Sequence, residues 1–225
     1  MANDVVQVRS RRRALALAFV GLALSGCESA APSGAGRTGA GAASAVVGRL
    51  TATSADIRVE RSGDPVGYAP GMPLRSGDRV RTGPATFATI DFADGNTVYM
   101  NHDTWVMVGS IRVFLGEIFT AIIHAGASWE AYTNDLSAAA EGTQFLLRTD
   151  PRDTTVTVIE GRVRCTPTSG GAWRPFTITA NQQISGTVRS YAGPKPVDAR
   201  GAALWVEEAA RRLKRAPVLR QPQIR

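Results

Sequence analysis

The sequence has 225 residues, of which 44% are hydrophobic and 20% are charged. A chain of this length and apolar content can form one domain with a buried core, which excludes a wholly disordered protein. The charges are scattered, which excludes a membrane protein with many spanning segments. Basic residues outnumber acidic ones by 26 to 19, a formal net charge of +7. A charge of this size is typical of proteins that bind nucleic acids or anionic membranes.

The excess positive charge lies at the two ends of the sequence. Residues 1–26 contain four basic and one acidic residue, residues 27–199 contain 15 and 16, and residues 200–225 contain seven and two. A protein that binds duplex nucleic acid needs lysine and arginine on its folded body to neutralise phosphates. Because the body of this chain has a net charge of −1, we expect no nucleic-acid partner.

The first 26 residues have the pattern of an export signal. A basic cluster at Ser10–Arg13 precedes an uncharged, mostly apolar run at Ala14–Leu24, which is too short for a spanning helix of about 20 residues. The next residues, Leu24-Ser25-Gly26-Cys27, resemble the bacterial lipobox, whose cysteine becomes diacylated and amino-terminal. We predict a signal peptide at residues 1–26 and lipidation of Cys27. An uncleaved membrane anchor is the alternative.

Residues 27–47 form the predicted tether. They are mostly alanine, glycine and serine without hydrophobic periodicity, which predicts a flexible linker with a reach of about 25 Å. Two or three acyl chains hold a protein on a bilayer far better than one. The sequence therefore predicts a protein that is lipid-anchored in the cell envelope and faces the periplasm. Glu28 follows the cysteine, which favours the outer membrane by the sorting rule of well-studied Gram-negative bacteria.

Residues 48–197 have the periodicity of β-strands. Apolar and polar side chains alternate in runs such as Asp56–Glu60 and Ala88–Phe92, and turn-forming residues separate these runs. Asp94-Gly95 between two alternating runs predicts a hairpin, because a two-residue turn of the favoured twist needs positive φ. Many short strands at this spacing predict an all-β domain: an antiparallel sandwich, a barrel or a solenoid-like stack.

One amphipathic helix is predicted at residues 198–215, followed by a basic tail at residues 216–225. Asp198 can cap the start of the helix and Pro217 ends it. An apolar stripe at helical spacing comprises Ala202, Trp205, Val206, Ala209 and Leu213.

This helix has two possible roles. Its apolar stripe can pack on the β domain as a cap, and Glu207 and Glu208 precede Arg211 and Arg212 by four residues, the spacing of helical ion pairs. Alternatively, its basic side contacts anionic envelope polymers or lipid headgroups. The side chains for such a contact are Arg211, Arg212, Lys214 and Arg215.

Five motifs of the β region resemble, in order and spacing, those of the FecR-type domain, a family named for the iron-dicitrate transport regulator. Three of them are Gly48-Arg49-Leu50, Leu74–Gly83 (LRSGDRVRTG) and Ala88–Gly95 (ATIDFADG). The other two are Ala139–Phe145 (AAEGTQF) and Thr154–Val163 (TTVTVIEGRV). A closing Ala180-Asn181-Gln182-Gln183 departs slightly from the family's usual Ala-Gly-Gln.

The resemblance implies a twisted antiparallel β-solenoid-like domain that works in the periplasm as a sensor or partner-binding module, without catalytic residues or a cofactor. The family's namesake also has a cytoplasmic region that handles a sigma factor, a spanning helix and a further domain. Here 13 residues precede the apolar run, which is too few for a cytoplasmic domain. We therefore expect no direct control of a sigma factor.

Few side chains of the sequence suggest catalysis or metal binding. His102 and His124 are 22 residues apart, and together with one distant cysteine they match the spacing of a metal site poorly. We expect no metal site and no enzymatic activity. Strand alternation places Cys165 on the same face as Val163, which predicts a buried structural thiol. A reactive or intermolecular cysteine is the alternative.

The aromatic residues suggest where a partner binds. Trp105 and Met107 alternate with Val106 and Val108, so they lie on the opposite face of their strand. If that face is exposed, it is a binding patch; if both faces are covered, these side chains belong to the core. The residues considered for partner binding are Trp105, Met107, Trp129 and Trp173.

The function that the sequence favours is that of a non-enzymatic envelope lipoprotein with one FecR-like domain. It would act as a periplasmic protein-interaction or signal-sensing accessory module, with an envelope protein as its partner. The alternative is a structural or glycan-binding envelope protein, in which tryptophan and arginine side chains contact peptidoglycan or polysaccharide.

Overall fold

The structure, a computed structural model, describes residues 45–123, 129–168 and 170–219. The first nine strands are β1 (Val46–Ala52), β2 (Ile57–Arg61), β3 (Asp64–Val66), β4 (Met72–Arg75), β5 (Arg79–Thr82), β6 (Ala88–Phe92), β7 (Thr97–Met100), β8 (Trp105–Met107) and β9 (Ile111–Ala121). They are followed by β10 (Trp129–Tyr132), β11 (Leu136–Ala140), β12 (Gln144–Thr149), β13 (Thr154–Glu160), β14 (Arg162–Pro167), β15 (Phe176–Thr179), β16 (Gln182–Gly186) and β17 (Tyr191–Pro196). Two short helices close the described chain, α1 (Ala199–Ala202) and α2 (Leu204–Arg212). The predicted all-β class with a helical C-terminal segment is confirmed.

Several predicted features lie outside the described residues. These are the signal peptide, Cys27, the tether up to residue 44, His124 and the end of the basic tail from residue 220. β1 begins at Val46, which pairs with Arg75 of β4, so the last two residues of the predicted tether belong to a strand. In the described part of the chain, no helix is long and apolar enough to span a membrane.

The strands form two sheets that share β9. The order in the first sheet is β4-β1-β6-β7-β9-β12-β13-β16-β17. The order in the second sheet is β3-β2-β5-β8-β9-β10-β11-β14-β15. Neighbouring strands are antiparallel, as predicted, with one exception: β10 runs parallel to β9. The inward side chains of both sheets form one continuous core, which includes Leu50, Ile90, Val106 and Phe145.

Strand β9 passes from one sheet to the other at Gly116. Its first part pairs with β8 and β10, and its second part, from Gly116 to Ala121, pairs with β7 and β12. Gly116 has a φ of +92°, a conformation that side chains other than glycine rarely adopt. The hydroxyl of Thr104 accepts a hydrogen bond from the Glu117 N–H at 3.0 Å and donates to the Glu117 carbonyl at 3.1 Å. One threonine hydroxyl therefore holds both backbone groups of the residue that follows the bend.

The hairpin predicted at Asp94-Gly95 joins β6 to β7, but its loop is longer than the prediction. Because Phe92 and Asn96 still bond through their backbones, the loop contains three residues rather than two. Gly95 has a φ of +87°, and the Asp94 carboxylate accepts a hydrogen bond from the Asn96 N–H at 3.0 Å. A residue in the left-handed region is the usual last position of a three-residue hairpin loop, so the glycine is required for the predicted reason.

The helices cover the outer face of the first sheet. Sheet side chains that point away from the main core form a second core with the helices; they are Phe87, Tyr99, Phe119, Leu146 and Ile159. Asp198 caps α1 as predicted, since its carboxylate accepts a hydrogen bond from the Gly201 N–H at 2.9 Å. The predicted stripe is only partly right. A break at Ala203 divides the helix and changes its phase, so Ala203, Val206, Ala209 and Ala210 are buried while Ala202 is exposed.

Candidate functional site

The outer face of the second sheet combines arginines with aromatic and methionine side chains. It is formed by the outward residues of β2, β5, β8 and the first part of β9, and we refer to it as the arginine–tryptophan face. Its members are Arg58, Glu60, Arg79, Arg81, Trp105, Met107, Arg112 and Phe114. Because side chains alternate along a strand, the intervening residues Val59, Val80, Val106 and Val113 point into the main core and are buried.

Strand pairing arranges this face in two rows. In the first row, Arg58 lies opposite Arg81, and Arg81 lies opposite Trp105. The second row contains Glu60, Arg79, Met107 and Arg112, each opposite the next. The sequence alone does not identify these arginines as site residues. Their alternation was visible, but the pairing of β2 with β5 and of β5 with β8 joins segments far apart in the chain.

Trp105 is half-buried and lies against Phe114. Their ring centroids are 4.7 Å apart and their planes are inclined by 37°. Within the described residues the indole N–H of Trp105 has no hydrogen-bond acceptor, so it can donate to a molecule outside the chain. Trp105 and Met107 thus lie, as the sequence predicts, on the face opposite the buried Val106. Neither is fully buried, which favours the binding patch over the core.

The arginines of this face are poorly compensated by acidic groups. Arg79 pairs loosely with Glu60 at 3.8 Å. In the described chain, Arg58, Arg81 and Arg112 form no ion pair. A cleft of about 190 Å³ opens between Arg58, Glu60, Arg79, Arg81 and Trp105. The face therefore presents positive charge and an aromatic ring around one shallow depression.

Trp129 does not belong to this face. It is 9% exposed and packs edge-on against Phe145, with ring centroids 6.0 Å apart. In β10 it shares the inward side with Ala131, while Glu130 and Tyr132 point outward. We therefore assign Trp129 to the core.

Trp173 lies at another place in the fold. Its indole N–H donates to the Thr187 carbonyl at 3.0 Å, and its ring contacts Phe176 and Tyr191, with centroids 5.5 and 5.2 Å away. These three rings lie near the edge strands β15 and β17. Among the described residues no contact joins Trp173 to Trp105, so the predicted aromatic residues do not form one site.

Of the four basic residues predicted to contact the envelope, three form ion pairs within the chain. Arg211 and Arg212 both pair with Glu208, and Arg215 forms a two-pronged ion pair with Asp91 of β6. Lys214 is exposed. These contacts favour the role of the helix as a cap.

The predicted pairing of Glu207 with Arg211 is wrong. Glu207 Oε1 instead accepts hydrogen bonds from the backbone N–H groups of Val218 and Leu219, at 3.0 and 2.6 Å. These contacts fold the chain after α2 back along the helix. The carboxylate satisfies two backbone donors of the irregular chain that follows α2, which explains why it turns away from the neighbouring arginine.

The outer face of the first sheet has a polar cleft of about 400 Å³ beside Gly116. Its lining includes His102, Glu117 and Arg148. Burial raises the pKa of Glu117, although Asn101 donates a hydrogen bond to its carboxylate at 3.0 Å. His102 is exposed and lies 3.5 Å from the Asp103 carboxylate. Within the described ranges no three metal-ligating side chains come together.

The sequence of the central region matches a known family. Residues 78–164 fit the model of the family described as FecR protein. This segment is similar to a FecR domain. The predicted resemblance is confirmed over these residues, which extend from the start of β5 into β14 and therefore include most of the arginine–tryptophan face. The predicted motif at Gly48-Arg49-Leu50 lies before the matched segment.

Two crystal structures of a candidate anti-sigma factor from Parabacteroides distasonis ATCC 8503 are similar to the chain, each with 15% sequence identity and a TM-score of 0.49. The similarity covers 57% of this chain and 64% of that protein, so the chain spans less than two thirds of its length. No curated protein sequence matches the chain.

The motif Leu74–Gly83 has a structural role. Asp78 is buried, accepts two hydrogen bonds from Arg61 at 3.0 and 2.7 Å, and accepts a third from the Arg75 N–H at 2.9 Å. Burial alone would raise the pKa of Asp78, but these donors outweigh burial and hold the pKa below its ordinary value. Asp78 therefore ties β2, β4 and β5 together.

Cys165 of the FecR-like region is a buried free thiol, which confirms the predicted structural role. We expect it to resist alkylation, because burial raises the pKa of the thiol to about 12 and the nucleophilic thiolate is then scarce at a pH of about 8. The folded-state pKa lies above the ordinary value of 9.0. The stability that this thiol contributes is therefore complete below pH 9.0 and lost as the pH rises toward about 12.

Iodoacetamide labelling, followed by mass spectrometry of the peptide that contains Cys165, checks this expectation. Labelling should be slow in buffer and fast in guanidinium chloride. Rapid labelling of the folded chain would contradict the buried, protonated thiol.

Proposed function

We propose that this protein is a non-enzymatic module of the bacterial cell envelope that acts in periplasmic signal transduction by binding another envelope protein. The FecR domain supports the regulatory role, since the family is named for a transport regulator. The single observation that carries the binding role is Trp105, a half-buried tryptophan on an arginine-rich face, whose indole N–H has no acceptor among the described residues. Tryptophan and arginine are the residues most enriched at binding hot spots.

In this proposal the chain is attached to the envelope by lipid on Cys27 and faces the periplasm, with the outer membrane favoured by Glu28. The lipobox pattern supports the anchor, and the alanine- and glycine-rich tether gives the domain room to reach a partner. A Cys27→Ala variant should leave the membrane fraction. If it still partitioned fully into membranes, the lipid anchor would be excluded.

A photocrosslinking amino acid at position 107, which lies on the same face and leaves Trp105 in place, tests the binding role when it is incorporated in the bacterium that makes the protein. We expect it to capture one envelope protein. A Trp105→Ala variant, probed from position 107, should reduce capture about tenfold or more while lowering the melting temperature by less than about 4 °C. The ring is only half-buried, so its removal leaves the main core intact.

Trp129→Ala is the matched control. This tryptophan is buried, and its removal should cost about 3–5 kcal/mol of unfolding free energy. If Trp105→Ala lowered the melting temperature as much as Trp129→Ala and left capture normal, Trp105 would be a core residue and the proposed face would be excluded.

One observation favours glycan binding as a second candidate function. Trp173, Phe176 and Tyr191 form a cluster of three rings, and Tyr191 is 41% exposed beside the exposed residues Arg174 and Arg189. Aromatic rings with nearby arginines can stack on sugars and hydrogen-bond them. Sedimentation with purified peptidoglycan, compared between the natural chain and Tyr191→Ala, tests this alternative.

A further inference from the structure

The arginine–tryptophan face carries a specific chemical preference, which rests on the proposed binding function. We propose that it binds a short, extended, acidic segment of the partner protein. Carboxylates of that segment pair with Arg58 and Arg81, and an apolar side chain beside them lies on Trp105. The pairing of charges, the geometry of the row and the acidic groups around it each support this choice.

Arg58 and Arg81 lie in electrostatically unfavourable positions. They face each other directly across β2 and β5, and both are exposed. Like charges at such positions destabilise a sheet. Arginines with carboxylate partners occur elsewhere in the structure: Arg61, on the same strand as Arg58, binds the buried Asp78, and Arg215 binds Asp91. Arg58 and Arg81 have no such partner in the described chain, so a carboxylate from outside would relieve their repulsion.

The spacing of the row suits an extended peptide. Arg58, Arg81 and Trp105 lie on three neighbouring strands, and three strands span about 10 Å. Side chains on one side of an extended peptide recur at every second residue, so a segment of about five residues, at about 3.3 Å per residue, presents three of them along the row. Each guanidinium can bind a carboxylate through two parallel N–H donors. The row therefore matches two acidic side chains followed by an apolar one on the same side of the segment.

Acidic side chains near the row favour a short segment over a long anionic polymer as the ligand. Glu60 lies within the face and pairs with Arg79. Asp56 and Asp103 line the neighbouring cleft of about 210 Å³, which shares Arg58 and Arg81 with the first cleft. A polysaccharide with a charge on every unit would meet these carboxylates as it left the row, and like charges would repel it. A segment of a few residues ends before it reaches them.

Binding of synthetic peptides to the full-length purified chain tests the inference. The probe is a fluorescein-labelled ten-residue peptide of two glutamate-serine-glutamate-serine-leucine repeats, which puts two glutamates and one leucine on the same side of an extended segment; its control has glutamine at every glutamate position. Fluorescence anisotropy gives the dissociation constants. The variant is Arg58→Gln with Arg81→Gln. The matched control is Arg162→Gln with Arg164→Gln, which removes two exposed arginines from β14 of the same sheet.

The glutamate peptide should bind the natural chain more weakly as salt is added. The variant at positions 58 and 81 should bind it about tenfold more weakly or worse, whereas the control variant stays within about twofold. The variant should also unfold at no lower temperature than the natural chain, because it removes a repulsion.

Three results would overturn the inference: equal binding of the glutamate and glutamine peptides, no binding of the glutamate peptide, or arginine-dependent binding of polygalacturonate in its place. Photocrosslinking from position 107 reports separately on the proposed function. Capture of a partner in cells without any preference for the glutamate peptide removes only the acidic specificity. Absence of capture at position 107, with the glutamate peptide still bound, removes the proposed cellular role and leaves the chemistry of the face.

Discussion

A Gly116→Ala variant is expected to lose about 4 kcal/mol or more of unfolding free energy, which would unfold a domain of ordinary stability near physiological temperature. A Cβ atom at position 116 would lie 2.4 Å from the Thr104 hydroxyl oxygen, 2.6 Å from the Thr104 Cα and 2.9 Å from the Asp103 carbonyl oxygen. Two of these atoms belong to the backbone and cannot rotate away. The variant also strains the left-handed φ of +92°.

Gly63→Ala separates the two causes. Gly63 has nearly the same φ, +95°, but an added Cβ there meets no atom within 4 Å. Its cost should be only that of the backbone strain, about 1 kcal/mol. Urea unfolding followed by circular dichroism gives both values. If the two variants lost the same unfolding free energy, the close approach of β9 to Thr104 would contribute nothing to the cost of Gly116→Ala.

A Val206→Glu variant should detach the helices from the first sheet, at a cost of about 3–4 kcal/mol. Val206 is fully buried in the second core with Phe119 and Leu146. A carboxylate finds no hydrogen-bond or ion-pair partner among these apolar side chains. It either stays charged without solvation or takes up a proton, and both cases cost free energy. Thermal unfolding measures the loss, and proteolysis within residues 199–212 reports release of the helices.

Leu204→Glu is the control for this variant. Leu204 begins the same helix but is 64% exposed, so a glutamate there should change the unfolding free energy by no more than about 0.5 kcal/mol. Deletion of residues 198–225 tests the same contact without a buried charge. A truncated chain of normal stability that lost salt-sensitive retention in the envelope would show that the helix binds the envelope rather than capping the sheet.

The fold class could be predicted because alternation is local. Asp56–Glu60 and Ala88–Phe92 reveal strands without any knowledge of their neighbours, and both form strands close to the predicted places. The sharing of β9 between two sheets could not be predicted in this way. It depends on which distant segments pair, and the only local sign is Gly116, one glycine among 23 in the sequence.

The candidate site was predicted in part for the same reason. Alternation placed Trp105 and Met107 correctly opposite Val106, but it could not show that Arg58 and Arg81 lie beside them, because they come from other strands. Trp129 lies on the buried side of β10. The alternation of Trp129-Glu130-Ala131-Tyr132 already places the tryptophan on the same side as alanine, and that side is buried.

The central position of β9 has a consequence for the order in which the chain can be synthesised and folded. When β1 to β9 have left the ribosome, β7 and β8 can already pair with one edge of β9. The other edge waits for β10 and β12, which are made later. During that interval a long strand offers unpaired N–H and C=O groups, which favour pairing with other nascent copies. A chaperone that holds the chain unfolded until synthesis is complete would therefore protect this protein. The protection would be smaller for a protein whose longest strand lies at a sheet edge, because that strand pairs along one side only.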